Sequence, residues 1–223
     1  MDSPAWTTPL DRISVLEQDR SLLNLMTIIR DQTTSDRDFS SAVEKVVRRL
    51  IASALNHVPA EEHTITTPLN ATYTGVRFTK GVCGVSILRA GACMEQALRD
   101  TWTGPLSFGK LLIQRDEETS IAKIYYSKLP ASITKDVVLL LEPMLATGGS
   151  VIKAVETLTG NGVPEDSIVL VNVVSSRKGL DVVSGRFPGL KIVSAAVDME
   201  LTAQNYISPG LGDFGDRYYG TCA

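Results

Sequence analysis

Thr147, Gly148, Gly149 and Ser150 set two hydroxyls around two residues that lack a side chain. Glycine lets the backbone bend tightly, so successive amides can point at one spot. Val151, Ala154, Val155 and Leu158 then recur at i, i+3, i+4 and i+7, which predicts a helix starting at the turn. A helix N-terminus with convergent amides suits an anion. Glu142 lies just upstream and adds a carboxylate. The group is suited to a sugar phosphate: donors for the phosphate, a carboxylate for the sugar hydroxyls. The glycines alone fit an ordinary strand-to-helix connection equally well; the carboxylate and hydroxyls favour the anion. No lysine follows the glycines as in a P-loop, and their spacing is not that of a dinucleotide fingerprint.

The elements that must position this turn are strands and helices in alternation. Val137–Leu141 is an unbroken aliphatic run, which predicts a strand covered on both faces and ended by Pro143. Residues 84–88, 110–114, 167–174 and 191–197 read as further strands. Helices are expected over about residues 19–30, from Ser35 to before Pro59, over about 94–101, and from Ser175 through Val183. Arg89, Ala90 and Gly91 follow one strand end, where an arginine is placed to clamp an anion bidentately. A plain surface arginine is the other reading. The segment 62–79 alternates β-formers around Pro68–Ala71 and predicts a hairpin arm. Such a hairpin is marginal alone, so it is expected to pack on the main sheet or on another subunit. The pattern as a whole predicts an α/β fold with a largely parallel central sheet, flanking helices, N-terminal helices and the arm.

The chain has 223 residues, 43% of them hydrophobic, which suits one domain over 1–223. Residues 1–18 read as an N-terminal extension, with a loosely ordered tail over about 1–10. A net charge of −3 argues against a nucleic-acid partner. No apolar run is long enough to cross a membrane, and no leader pattern is visible. Cys83, Cys93 and Cys222 show no metal spacing and fit a reducing, cytoplasmic setting.

Tyr206–Thr221 is too rich in glycine to be a regular helix or central strand. Its backbone could read a planar ring that carries alternating NH and carbonyl groups. A surface tail is the alternative, but Tyr206, Ile207, Leu211, Phe214, Tyr218 and Tyr219 together favour a packed loop.

Four stretches, ILRAG at 87–91, RDEET at 115–119, EPMLATGGS at 142–150 and ISPGLGDFGDR at 207–217, resemble motifs of the type I phosphoribosyltransferases, in their uracil branch. YYSKLP at 125–130 resembles that branch's substrate-covering segment, and the likeness runs from about Leu22 onward. The branch usually carries Asp where this chain has Glu142, which moves the carboxylate by about one bond. The resemblance implies transfer of a phosphoribosyl group from 5-phosphoribosyl 1-diphosphate to uracil, giving UMP in pyrimidine salvage. It implies that Arg89, Arg115 and Asp213 are catalytic. The phosphoribosyl diphosphate would meet Arg89, Ala90, Gly91, Arg115, Glu142, Pro143, Met144, Leu145, Ala146, Thr147, Gly148, Gly149, Ser150 and Asp213. Uracil would meet Met144, Tyr206, Ile207, Gly212, Asp213 and Phe214 within residues 198–223. Mg2+ would arrive on the diphosphate, with no direct side-chain ligand. The family also implies a homodimer or homotetramer, with GTP as a possible activator. It suggests an unusual backbone beside Arg89, with a non-proline cis peptide as the hypothesis. Asp216 and Arg217 are expected to pair and brace the loop. A catalytically silent nucleotide-sensing domain, or an enzyme for another base, are the alternatives.

Overall fold

A computed structural model of the chain describes residues 12–115 and 122–221, with Arg115 described by its backbone alone. The tail expected over residues 1–10, residues 116–119 of the RDEET motif and Cys222 lie outside the described residues. Local chemistry sets the first helices. The Asp19 carboxylate accepts from the Leu22 amide at 2.7 Å and caps α1 (Arg20–Arg30). Ser35 accepts from the Asp38 amide at 3.2 Å and caps α2 (Asp36–Leu55). The hairpin follows as β2 (Ala60–Thr66) and β3 (Thr72–Phe78), antiparallel and mostly exposed. Its base is held where Phe78 meets Trp102, ring centroids 4.7 Å apart.

The remaining chain alternates as the apolar runs predict. β4 (Val82–Leu88) enters a 3-10 turn at Ala90–Met94 and then α3 (Glu95–Thr101). β5 (Leu106–Arg115) turns back as β6 (Ala122–Lys128). β7 (Val137–Leu141), the short β8 (Met144–Leu145) and α4 (Gly149–Gly160) follow. β9 (Ile168–Ser176), α5 (Arg177–Arg186) and β10 (Lys191–Asp198) complete the alternation. A small ladder of β11 (Glu200–Leu201) and β12 (Ile207–Ser208) and a last helix, α6 (Phe214–Tyr219), close the described chain.

The main sheet runs β1-β10-β9-β7-β4-β5-β6, where β1 is Ile13–Val15 and β8 lies beside β9. Its pairs are parallel apart from β5 with β6. Successive residues of a strand face opposite ways, and here both faces are covered. Val137, Leu139 and Leu141 enter a core shared with α1, α2 and α3, whereas Val138 and Leu140 enter one shared with α4 and α5. That double burial is why the sequence shows no alternation. From β4 the chain steps outward to β5, then returns to β7 on the other flank and continues to β9 and β10. The reversal falls between β4 and β7. Ligands of open parallel sheets sit at the carboxyl ends of strands at such a reversal.

Three features differ from the sequence-based expectation. β1 lies within the stretch assigned to an N-terminal extension, and it pairs with β10 through only three residues, too few for a periodicity. β5 begins at Leu106 rather than Lys110, pairing with β4 from Val82 onward, and carries Gly109 within it, where a Cβ would lie 2.8 Å from a Leu129 methyl. The glycine-rich end does hold a helix. Asp213 caps α6 by accepting from the Asp216 amide at 3.0 Å, and Gly220 ends it with φ 65°. Among the described residues no helix is long and apolar enough to cross a membrane.

Candidate active site

The stretch between β7 and α4 is strapped to β9. The Glu142 amide donates to Val171 O at 3.2 Å, and the Val173 and Val174 amides donate to Pro143 O at 2.9 and 3.0 Å. The buried Asn172 amide donates to Glu142 O at 2.9 Å. Gly148 then adopts φ 88°, the left-handed region, and caps α4. A Cβ at Gly148 would also lie 2.8 Å from a Val183 methyl of α5. Residues 144–151 line a hollow of about 70 Å3 at this helix start. The sequence prediction of a glycine turn opening a helix therefore holds, and residues of the first turn of α4 line the hollow.

Glu142, just upstream of the residues that line the hollow, is 8% exposed. Its carboxylate accepts from the Met144 amide at 3.4 Å, a long contact. Burial pushes its pKa up to about 8, and the Met144 amide offsets only part of that. A carboxyl so placed keeps its proton to higher pH than a free glutamate does.

The C-terminal bend folds over the same rim. Met144, Ala146, Gln204, Asn205, Tyr206, Ile207, Gly212, Asp213 and Phe214 line a cavity of about 290 Å3. That is the small end of the usual range for ligand pockets, about 300–1,000 Å3. Met144 and Ala146 line both this cavity and the hollow of the glycine turn. The two spaces are thus neighbours across one short strand. Phe214 anchors the bend in the core, edge-on to Phe39 at 5.7 Å and stacked on Tyr218 at 5.8 Å.

Arg89 approaches from β4. The Leu88–Arg89 peptide is cis, as hypothesised for this loop. Gly91 is required there, since a Cβ would lie 2.1 Å from Leu141 O. The Arg89 side chain lines neither space. It pairs with Asp216 at 3.0 Å and donates to Thr221 Oγ1 at 3.3 Å, while its carbonyl accepts from the Tyr219 hydroxyl at 3.1 Å. The Thr221 hydroxyl and then the Arg89 guanidinium hold the Asp216 pKa below the usual carboxylate range. The expected Asp216–Arg217 brace is therefore corrected. Arg217 instead donates to the carbonyls of Ile29 and Leu211, each at 2.7 Å, and of Asp31 at 2.8 Å. Adjacent helical side chains point apart, so the two cannot face each other.

The structure thus brings Met144–Ser150 together with Tyr206, Ile207, Gly212, Asp213 and Phe214. Pro143 lies in the strap, and Leu145 is buried beneath the turn. Arg89, Ala90 and Gly91 sit on the α6 side of the rim. The Arg115 backbone ends β5 two strands from β7, and its side chain lies outside the described residues. Gln204 and Asn205 line the cavity without having been singled out in the sequence. A turn signal was available: Asn205 takes φ 64° and donates to Thr202 O at 2.9 Å, and asparagine tolerates that region. Among the described residues no group of three or more His, Cys, Asp or Glu side chains is arranged to hold a metal.

Comparison with known proteins shows the family. The family model described as uracil phosphoribosyltransferase matches residues 15–221. A uracil phosphoribosyltransferase of Lachancea kluyveri is 46% identical over 211 residues, 95% of this chain and 97% of that protein. Uracil phosphoribosyltransferase 1 of Schizosaccharomyces pombe is 47% identical over 211 residues, 95% of this chain and 96% of that one. The solved AQ2163 protein from Aquifex aeolicus superposes with a TM-score of 0.82 at 28% identity, covering 95% of this chain and 99% of its own. A match over residues 15–221, which takes in the glycine turn, the sheet and the C-terminal bend, places this chain in the uracil phosphoribosyltransferase family.

Proposed function

We propose that the chain forms UMP and diphosphate from uracil and 5-phosphoribosyl 1-diphosphate. The observation that carries this reading is the pair of adjoining spaces that share Met144 and Ala146. A ribose lying across that strand would put its 5-phosphate in the glycine turn and its anomeric carbon beside the base cavity. Thr147, Gly148, Gly149 and Ser150 take the phosphate. Backbone groups of Ile207, Gly212 and Phe214 take uracil, with Tyr206 at the mouth and Met144 on the inner wall.

In the reaction, uracil N1 bonds to the anomeric carbon as the bond to diphosphate breaks. The bond's electron pair leaves with diphosphate, and the N1 proton passes to water. Arg89 and Arg115 take up charge growing on the leaving group. With no side-chain group placed to hold a metal among the described residues, a Mg2+ ion carried on the diphosphate would add positive charge to the leaving group. Asp213 faces the phosphoribosyl diphosphate, and Glu142 faces the ribose hydroxyls. Positive charge on the sugar in the transition state draws the Glu142 carboxyl toward its ionised form. Holding both reactants in line supplies much of the acceleration, as effective molarities on the order of 10⁵ M or more allow.

The family resemblance supports a homodimer or homotetramer joined through the arm, whose Ile65, Leu69, Tyr73, Val76 and Phe78 are exposed. It supports GTP as an activator, read by rates with and without GTP. Unpaired Cys83 and Cys93 suit a cytoplasmic setting. The deciding experiment is UMP formation from labelled uracil and 5-phosphoribosyl 1-diphosphate, beside a panel of other bases. No product would refute the reading; preference for a purine or orotate would replace uracil with that base.

A further inference from the structure

Arg30 ends α1 and Asp198 ends β10. Their side chains meet in two parallel contacts, Nη1 to Oδ2 and Nη2 to Oδ1, each 2.8 Å. Asp198 is 7% exposed and Arg30 24%. The same two side chains grip Gly210 from both sides. Its amide donates to Asp198 Oδ2 at 2.9 Å, and its carbonyl accepts from Arg30 Nη1 at 2.8 Å. Gly210 has φ 61°, and a Cβ there would lie 2.0 Å from Ile207 O. Gly210 therefore sits between Ile207 and Gly212, both of which line the cavity. Neither Arg30 nor Asp198 lines that cavity.

A buried ion pair is a poor source of stability, because desolvation offsets most of the attraction and an apolar pair would pack as well. What it does supply is geometry: a forked arginine on a carboxylate fixes both partners in angle and distance. A ring read by backbone groups is read by their position alone, since no side-chain identity contributes.

Resting on the reading of the cavity as the base site, we infer that Arg30 and Asp198 are positioning residues that set base affinity and base selectivity by fixing Gly210. They act through the bend and touch no substrate. Their loss leaves the phosphate turn, which is strapped to β9 by other groups, where it is.

The test is steady-state kinetics on the full chain and on Asp198→Asn and Arg30→Lys. The second variant guards against misfolding, because it keeps the charge and only loses the fork. Asp198→Asn should raise KM for uracil roughly 10- to 100-fold, as displacement of reacting groups by about 1 Å does. KM for 5-phosphoribosyl 1-diphosphate should stay within about twofold, and preference for uracil over thymine and cytosine should narrow. Arg30→Lys should fall between wild type and Asp198→Asn in all of these. A merely structural pair would reduce the amount of folded enzyme and its melting temperature with KM and selectivity unchanged, and that outcome would overturn the inference. So would equal rises in both KM values. If the unaltered chain makes no UMP, the function proposed above fails instead, and the two failures are told apart.

Discussion

In the turn from Thr147 to Ser150, the groups facing the hollow belong to consecutive residues, and their geometry follows from one glycine at φ 88° and the start of α4. In the bend from Ile207 to Phe214, the facing groups are held from afar. Arg30 and Asp198 grip Gly210, while Arg217 ties Leu211 to the end of α1. The first region takes its local shape from its own glycine and helix start, on a stretch strapped to β9; the second borrows its shape from α1 and β10. A charged phosphate needs amides converging on one point, which a short turn provides. A neutral planar ring offers only hydrogen-bonding edges, so its reader must be placed by a larger frame.

The contrast is broken most severely at Gly148. Gly148→Val should cut kcat/KM at least about 100-fold by forcing the turn out of line. It should also cost about 1–3 kcal/mol of stability, since a non-glycine residue is strained at that φ. Activity near wild type would place the phosphate elsewhere. Next in size are the charged contacts. Arg115→Ala and Asp213→Ala should each lose more than about 1.5 kcal/mol of transition-state stabilisation in kcat/KM. Circular dichroism should stay native, and unchanged rates would remove either residue from the site.

A smaller effect sharpens the comparison through pH. The folded pKa of Glu142 is raised from 4.5 to about 8, so its contribution to stability is present below pH 4.5 and is lost as pH rises toward about 8. The loss should amount to a few kcal/mol at most, at about 1.4 kcal/mol per pH unit. Glu142→Gln should flatten denaturation midpoints over that window. It should also remove a rise in kcat/KM approaching pH 8, the limb expected if the ionised form acts. A wild-type profile with no such limb would deny the carboxylate its role. The mildest change is Asn205→Ala, where φ is 64°. It should cost about 1 kcal/mol and raise KM for uracil a few-fold, with the phosphate side untouched.

Legibility in the sequence follows the same division. The doubly buried strands, the helix start at Ser35 and the glycine turn depend on near neighbours, and all were visible. α6 also carried local signals, Asp213 before it and Gly220 after it, but the density of glycine outweighed them. The partners of Arg89 and Arg217 were not readable. Arg89 finds Asp216 127 positions away, and Arg30 finds Asp198 168 positions away. Nothing in the spacing of a chain announces such pairs; they exist only once the sheet order has been set.

The ties from α6 to Arg89 carry one further consequence. The helix begins at Phe214, which lines the cavity, and holds Arg89 through Asp216 in its first turn and Tyr219 at its end. Diphosphate drawing the guanidinium away would release part of that hold and shift the populations open to the helix. Linkage is reciprocal, so any factor by which one substrate changes the affinity for the other must be returned equally. Equilibrium titrations of each in the presence and absence of the other should close such a thermodynamic square.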